Sequence, residues 1–328
     1  MSSVQFIKVD EKDDGVRLDR WFARHYPDLK NGELHRLIRG KNIRVNGKRT
    51  TADARLTVGD ELRVPPLDVA EKNLKPRELS HADVAFMQSL VIYKDNDVIV
   101  LNKPAGIAVQ GGSKTTRHID GMLDALRFEK DEKPRLVHRL DKDTSGVLVL
   151  ARSAKAAQKL ISAFASREAH KTYWAVVVGC PKLKVGKIDA PLVKMSGAAG
   201  GEQVRVDFDH GQKAVTLYRV VDALTNKLAW LEMMPLTGRT HQLRVHCNVL
   251  ETPILGDIKY NPNQENDLGL PDAKTMHLHA RHIKIPHPTK GMLEISAKIP
   301  QHMKRTFEFL GFDEKEADDG FDFFEKGK

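Results

Sequence analysis

Apolar residues recur along this chain with two different periods, and the places where the period changes divide it into segments. In RLDRWFARHYP, Leu18, Trp21 and Phe22 fall at helical spacing, and Leu34, Leu37 and Ile38 repeat that spacing over Glu33 to Arg39. Two short helices are predicted, with their apolar stripes forming the core of a small unit. After Gly40 the period shortens to alternation in NIRVNGKRT, where Asn46-Gly47 suits a tight hairpin turn. The segment VGDELRVPP predicts a further short strand, stopped by Pro65 and Pro66. Together these elements place a compact α+β unit over residues 15–66, and the polar, aperiodic stretch 67–88 predicts a linker.

A second domain is expected over residues 89–312. It opens with VIYKDNDVIVLNKPAG, two strand-like runs around a turn, closed by Pro104 and Gly106. Further on, HRLDKDTSGVLVLARS is a polar loop running into an apolar strand, Val147 to Ala151. Ser153 then caps a helix with Ala157, Leu160, Ile161 and Phe164 on its apolar stripe. TYWAVVVG predicts a buried strand. In TGRTHQLRVHC, Thr240 is placed to cap a helix that buries Leu243, Cys247 and Leu250, with Arg244 beside that stripe. The tail, residues 313–328, mixes acidic side chains with Phe321, Phe323 and Phe324 and is expected to fray.

Composition narrows the class. The 328 residues, 41% of them hydrophobic, suffice for one large core and a smaller module. A net charge of +9 favours a polyanionic partner, because basic groups displace counterions condensed on nucleic acid. Part of that charge is concentrated: Arg36, Arg39, Lys41, Arg44, Lys48 and Arg49 fall within fourteen residues that contain no acidic side chain. Spread over a helix end and a hairpin, this run would suit a phosphate backbone, although basic runs are often only solvated surface. Cys180 and Cys247 lack CxxC spacing, so neither a disulfide framework nor a thiolate zinc site is indicated and a reducing, cytosolic setting fits. The opening residues show no signal-peptide pattern and no stretch has the apolar length of a membrane span, which points to a soluble protein. His277, His279, His282 and His287 find no carboxylate or cysteine at ligand spacing, so no metal site is predicted and the strand carrying them is expected at an ordinary surface.

Chemistry is suggested by HRLDKDTSG, where Asp141 and Asp143 sit with His138, Arg139 and Lys142 before a strand. A polar loop at a strand end is commonly just a turn. The wider pattern adds to this. RLDRWF, LIRGKNIRVNG and VGDELRV resemble the small RNA-binding module named after ribosomal small-subunit protein four, which implies RNA contact without naming a reaction. LNKPAG, HRLDKDTSGVLVLA, KTYWAVVVG, TGRTHQLRVH and TMHLHA occur in the order and spacing of the RluA-type pseudouridine synthases. With the N-terminal module they look like the RluC branch, over roughly residues 91–300.

That resemblance implies an α+β fold in which a small RNA-binding domain precedes a synthase domain built on a mixed, mainly antiparallel sheet flanked by helices. It implies isomerisation of uridine to pseudouridine in large-subunit ribosomal RNA, free or in an assembling particle, by an enzyme without cofactor; a monomer in the cytoplasm is the expectation. Asp141 matches the family's essential aspartate, Arg244 the arginine that pairs with it, and Tyr173 the tyrosine that stacks on uracil and is a candidate for moving its ring proton. Arg139 resembles the arginine that fills the gap left by the flipped base, and Leu278 an apolar pocket position. Lys103 and Pro104 shape the loop that follows them. One departure is VQGGS, Val109 to Ser113, where related sequences often carry histidine in place of Gln110. Two other classes compete: a non-catalytic RNA-binding or ribosome-assembly protein on the same fold, and a hydrolase using Ser145 or Thr144 with a histidine. The first has no physical reason to keep Asp141, Tyr173 and Arg244 together, and the second lacks a nucleophile-elbow pattern.

Overall fold

Helical spacing and alternation produce the small unit largely as they predict. In the computed structural model, which describes residues 4–67, 79–111, 117–196, 202–262 and 269–317, the chain divides into Met1–Glu78 and Leu79–Lys328. The first unit comprises β1 (Gln5–Lys8), α1 (Leu18–His25), α2 (Asn31–Arg39), β2 (Arg44–Val45) and β3 (Glu61–Val64). Leu18, Trp21, Phe22 and Leu34 are buried with Ile43, Leu56, Leu62 and Val64 in one core. Asn46 and Gly47 both adopt positive φ, the pair of left-handed residues that a type I′ hairpin turn needs. The antiparallel sheet runs β1-β3-β2, so its first strand lies upstream of residue 15, where the unit was expected to begin. β1 eluded the sequence reading because all four of its residues are at least partly exposed, leaving no buried stripe to detect.

The second unit contains α3 (His81–Ser89), β4 (Val91–Lys94), β5 (Val98–Lys103), α4 (Ile119–Met122), β6 (Arg135–Leu136), β7 (Ser145–Ala151), α5 (Ala154–Ala165), β8 (His170–Val178), β9 (Val185–Asp189), β10 (Leu192–Ser196), β11 (Glu202–Val206), β12 (Val215–Leu224), β13 (Leu228–Pro235), α6 (Gln242–Val249), β14 (Leu278–Pro286), β15 (Met292–Ser296) and α7 (Gln301–Leu310). Part of the expected linker is thus helix: Ser80 accepts a hydrogen bond from the Asp83 N–H and starts α3, whose Met87 is buried. The rest of that stretch, 68–78, lies outside the described residues, as do Gly112, Ser113 and the tail from 318 with its three phenylalanines. Among the described residues no helix is long and apolar enough to cross a membrane.

A mixed sheet runs β4-β5-β7-β14-β8-β13-β12-β9, with β15 on β14 and β6 on β7. Its strands alternate between two buried faces, which is why they read as continuous apolar runs. On β5 and β7, Ile99, Leu101, Leu148 and Leu150 pack with α3 and α4, while Val98, Val100, Val147 and Val149 pack under α5. On β8 and β13, Ala175, Val177, Ala229 and Leu231 pack against α6, while Trp174, Val176 and Trp230 meet Met303 and Phe307 of α7. Ile161, expected inside, is exposed; Ala156, Ala157, Leu160 and Ala163 form the buried face of α5 instead.

All ladders between these strands are antiparallel except one: β14 meets β7 in parallel, at His279↔Ser145 and Ala280↔Gly146. The approach is close enough that a Cβ on Gly146, whose φ is +111°, would stand 2.2 Å from the Ala280 carbonyl oxygen. The four β14-region histidines are buried here, contrary to the surface expected for them. Each is tied into the packing: His279 Nδ1 lies 2.9 Å from Ser145 Oγ, His277 Nε2 2.8 Å from Thr306 Oγ1, His282 Nε2 3.3 Å from Glu294 and His287 Nε2 2.8 Å from Asp95.

One buried cation fixes the loop that leads from β6 into β7. Lys103 is fully buried, and its ammonium donates to the carbonyls of Pro104 at 2.9 Å, Ile107 at 2.9 Å and Lys142 at 3.0 Å. All three of its protons are used. Burial lowers its pKa to about 8, against the pull of Asp143 and Asp141. Its loop-shaping role therefore extends to a second loop, 141–144, which it holds by the Lys142 carbonyl.

Two outcomes are expected. Lys103→Met takes the ammonium from three carbonyls, of which that of Lys142 keeps the Gly106 N–H, so unfolding experiments should show a loss of roughly 3 kcal/mol, and an unchanged Tm would contradict the role given to Lys103. Burial keeps His138 and His279 neutral down to about pH 3 and His277 down to about 4. Because these folded values lie below the ordinary imidazole value of about 6.5, the unfolded chain binds more protons under that pH and stability falls as the solution is acidified. Denaturant titrations from pH 7 to 4 should show this decline, and His277→Gln should make it shallower.

Candidate active site

The loop between β6 and β7 carries Asp141, and its first anchor is His138. The His138 ring stacks on Phe164 with centroids 4.5 Å apart, and Nε2 accepts the Val149 N–H at 2.8 Å. A nitrogen that accepts carries no proton, and burial, with Lys171 nearby, makes this ring neutral. His138 is an anchor. Downstream, the Thr144 N–H donates to the Asp141 carbonyl at 3.2 Å and closes the turn.

Asp141 opens onto a cleft of about 790 Å³ whose walls include Arg139, Tyr173, Arg244 and Leu278. Four chain segments far apart in sequence thus deliver the cleft residues expected from the sequence: the β6–β7 loop, β8, α6 and β14. Leu278 is buried, and Arg139 is exposed at the rim. Tyr173, half-buried, packs between the two clusters on the α6 side of the sheet. Burial, and then the charge of Asp141, push its phenol well above the usual tyrosine range. It therefore stays protonated, able to stack or donate but unsuited to be a resting tyrosinate base.

Arg244 differs from the simple pair that was expected. Its guanidinium is buried and makes a two-pronged contact with Asp257, Nε to Oδ2 at 2.7 Å and Nη2 to Oδ1 at 2.6 Å. Its remaining nitrogen, Nη1, lies 3.7 Å from Asp141 Oδ2. Burial works against the charge on Arg244, but Asp257 and then Asp141 raise its pKa, so it remains a cation. Asp257 Oδ1 also accepts the N–H groups of Lys259 at 3.1 Å and Tyr260 at 3.3 Å. A Cβ on the preceding Gly256, with φ at +77°, would stand 2.1 Å from the Thr275 carbonyl, so this turn admits only glycine there.

The start of α6 also departs from expectation. Thr240 does not cap it; the N-cap is His241, in the left-handed region at φ 52° and ψ 19°, with no side-chain cap. This turns the imidazole toward the cleft, where Nε2 lies 3.9 Å from Asp141 Oδ2 and Nδ1 2.7 Å from the Tyr260 hydroxyl. Lys171, two residues before Tyr173 on β8, lines the same cleft with its pKa lowered by burial. Asp257, His241, Tyr260 and Lys171 escaped the sequence reading. His241 and Lys171 stood inside the quoted motifs TGRTHQLRVH and KTYWAVVVG, and Gly256-Asp257 was the one signal for the guanidinium's partner.

The serine-hydrolase alternative does not survive this geometry. Ser145 does contact His279, but both are buried outside the cleft, and the second ring nitrogen of His279 bonds the Ala297 carbonyl at 3.2 Å in place of an orienting carboxylate. Thr144 lines the cleft with no imidazole partner among the described residues. The basic run lies in the other unit. All six of its side chains are exposed, and Arg44 stands opposite Arg63 across the β2–β3 pair.

Comparison with known proteins identifies the family. A sequence model described as RNA pseudouridylate synthase matches residues 97–249. RNA pseudouridine synthase 4, mitochondrial, of Arabidopsis thaliana is 36% identical over 89% of this chain and 78% of its own length. Ribosomal large subunit pseudouridine synthase C is 36% identical in Rickettsia bellii, over 88% of this chain and 96% of its own. The protein of that name in Haemophilus influenzae is 34% identical, over 94% and 96%. Among solved structures, Human RNA Pseudouridylate Synthase Domain Containing 4 superposes with a TM-score of 0.61 at 30% identity, covering 71% of this chain and 98% of that one. With relatives at this identity aligned over nearly their whole length, the chain belongs to the RNA pseudouridylate synthase family, RluA/RluC type, whose members isomerise uridine in RNA.

Proposed function

We propose that this enzyme converts uridines of large-subunit ribosomal RNA to pseudouridine, with Asp141 as the catalytic carboxylate. The observation that carries the assignment is the meeting of Asp141, Tyr173, Leu278 and a buried, twice-paired Arg244 in one cleft. Support for the RNA class comes from the names of the Rickettsia and Haemophilus relatives, which specify the ribosomal large subunit.

The reaction breaks the bond from ribose C1′ to uracil N1, turns the base, and joins C1′ to C5. A proton leaves C5 and one is gained at N1, so no atoms are gained or lost. Asp141 either attacks C1′ or removes the proton on C2′, and both routes need an ionised carboxylate at the sugar. Arg244 places a positive charge 3.7 Å from it. Tyr173, protonated, stacks on the uracil and holds it while the glycosidic bond is open. Leu278 gives the base an apolar wall, and Arg139 at the rim occupies the stack that the flipped nucleotide leaves. Arg36, Arg39, Lys41, Arg44, Lys48 and Arg49 supply affinity for phosphates through the first unit, an RNA-binding module that includes residues 15–66. We further infer a monomeric enzyme in the cytoplasm, a reducing setting in accord with the free thiols of Cys180 and Cys247.

Two measurements test this reading. Asp141→Asn should lower pseudouridine formation on ribosomal RNA by roughly 10³-fold or more while RNA affinity stays within about threefold. A variant that still forms product removes Asp141 from the mechanism. Arg39→Glu combined with Arg44→Glu should weaken binding and reduce the slope of log affinity against log salt by roughly 1 to 2, and an unchanged slope takes the first unit out of the RNA interface.

A further inference from the structure

Two groups converge on Asp141, and they address the same oxygen. Arg244 Nη1 lies 3.7 Å from Oδ2 and His241 Nε2 lies 3.9 Å from Oδ2. Among the described residues no hydrogen bond or ion pair reaches Oδ1 from a side chain. The carboxylate is therefore asymmetric: one oxygen faces two donors and the other is left for the ribose.

What holds His241 there can be followed proton by proton. The Val204 N–H of β11 donates to the Tyr260 hydroxyl oxygen at 3.1 Å, and that hydroxyl lies 2.7 Å from His241 Nδ1. A phenol has one proton to give. With Val204 as donor to the oxygen, the pairing that satisfies every group sends the phenol proton to Nδ1, which fixes the imidazole as the Nε2–H tautomer and directs that N–H at Asp141. The backbone supports this at a cost: a non-glycine residue in the left-handed region stores about 1 kcal/mol or more, and it persists where the surroundings over-determine it. Tyr260 is fixed in turn by its neighbours. Its N–H donates to Asp257, its carbonyl accepts from Asn248 at 2.9 Å, and its ring lies under the Arg244 guanidinium at 5.0 Å. The short segment from Asp257 to Tyr260 thus sets both side chains that face Oδ2.

We propose that His241 and Tyr260 are a positioning pair for Asp141: the phenol, anchored to β11, sets the tautomer and aim of His241, which with Arg244 pins Oδ2 and presents Oδ1 to the sugar. This rests on the assignment of Asp141 as the catalytic carboxylate. The pair acts in the turnover step more than in RNA binding, because its contacts are made to the carboxylate. It also links the reacting group to the β10–β11 hairpin, so displacement of that hairpin is felt at Asp141.

The test uses the full-length enzyme and a ribosomal RNA substrate. His241→Asn tolerates the left-handed backbone, since Asn is at home there, but its shorter side chain cannot place a donor at the Nε2 position. It should lower kcat about tenfold with KM within about twofold, and His241→Gln, which restores a donor at that reach, should recover part of the loss. Tyr260→Phe keeps the ring beneath Arg244 and should lower kcat about threefold, with no further loss when added to His241→Asn, because the two act as one unit. Nitrogen-15 spectra of the His241 ring should show the Nε2–H tautomer in the wild type and a mixture in Tyr260→Phe. Wild-type kcat in His241→Asn, equal changes in kcat and KM, fully additive losses, or an Nδ1–H tautomer in the wild type would each overturn the pair. Asp141→Asn assayed in parallel separates the two ideas: activity there sinks the role of Asp141 itself, whereas inactivity there with unaffected His241 and Tyr260 variants sinks only the pair.

Discussion

The site depends on a guanidinium shared unequally between two carboxylates. Taking Arg244 out of water is unfavourable unless its charge and its donors are matched, and Asp257 does most of that matching through two short, parallel hydrogen bonds. Asp141 receives only the longer contact from the third nitrogen. This division has a chemical logic. A carboxylate locked in a two-pronged pair would be a poor nucleophile or base, whereas one held by a single longer contact keeps an oxygen available for the role proposed for Asp141. Asp257 carries the structural load so that Asp141 does not have to.

The same separation of duties recurs around the loop. Lys103 satisfies the carbonyls beneath it, His138 accepts from β7, and Ser145 with His279 fastens the start of β7 to β14. None of these groups faces the cleft as a reactant. Burial is the largest cause of the lowered pKa values of Lys103, His138 and His279, and a value perturbed mainly by desolvation marks a functional residue only when the side chain also reaches the substrate.

Much of this was legible in the sequence, for identifiable reasons. Apolar runs such as GVLVLA and YWAVVV announce strands buried on both faces, and the quoted motifs carried Asp141, Tyr173, Arg244 and Leu278 into one cleft. What escaped was set by tertiary context. Asp257 is one carboxylate among many until α6 brings Arg244 beside it. His241 was invisible because helix-start rules favour a hydroxyl such as Thr240, while the backbone here takes a left-handed residue with no cap. The four histidines near β14 were misplaced on the surface because polarity argues for exposure, yet each finds a hydrogen-bonding partner that makes burial tolerable. Ile161 erred in the other direction, since a helix that packs with alanines brings its backbone close to the sheet and needs a narrower apolar stripe.

The parallel contact between β7 and β14 has a consequence for synthesis on the ribosome. Ser145 and His279 are 134 residues apart in the chain, yet they clasp at the root of the Asp141 loop. Until the second of these segments has emerged, the sheet is split at its middle and Leu278 has not arrived to wall the cleft. A nascent or truncated product that lacks β14 therefore carries the Asp141 loop without the Leu278 wall of its cleft, and the cleft is completed only when β14 joins the sheet.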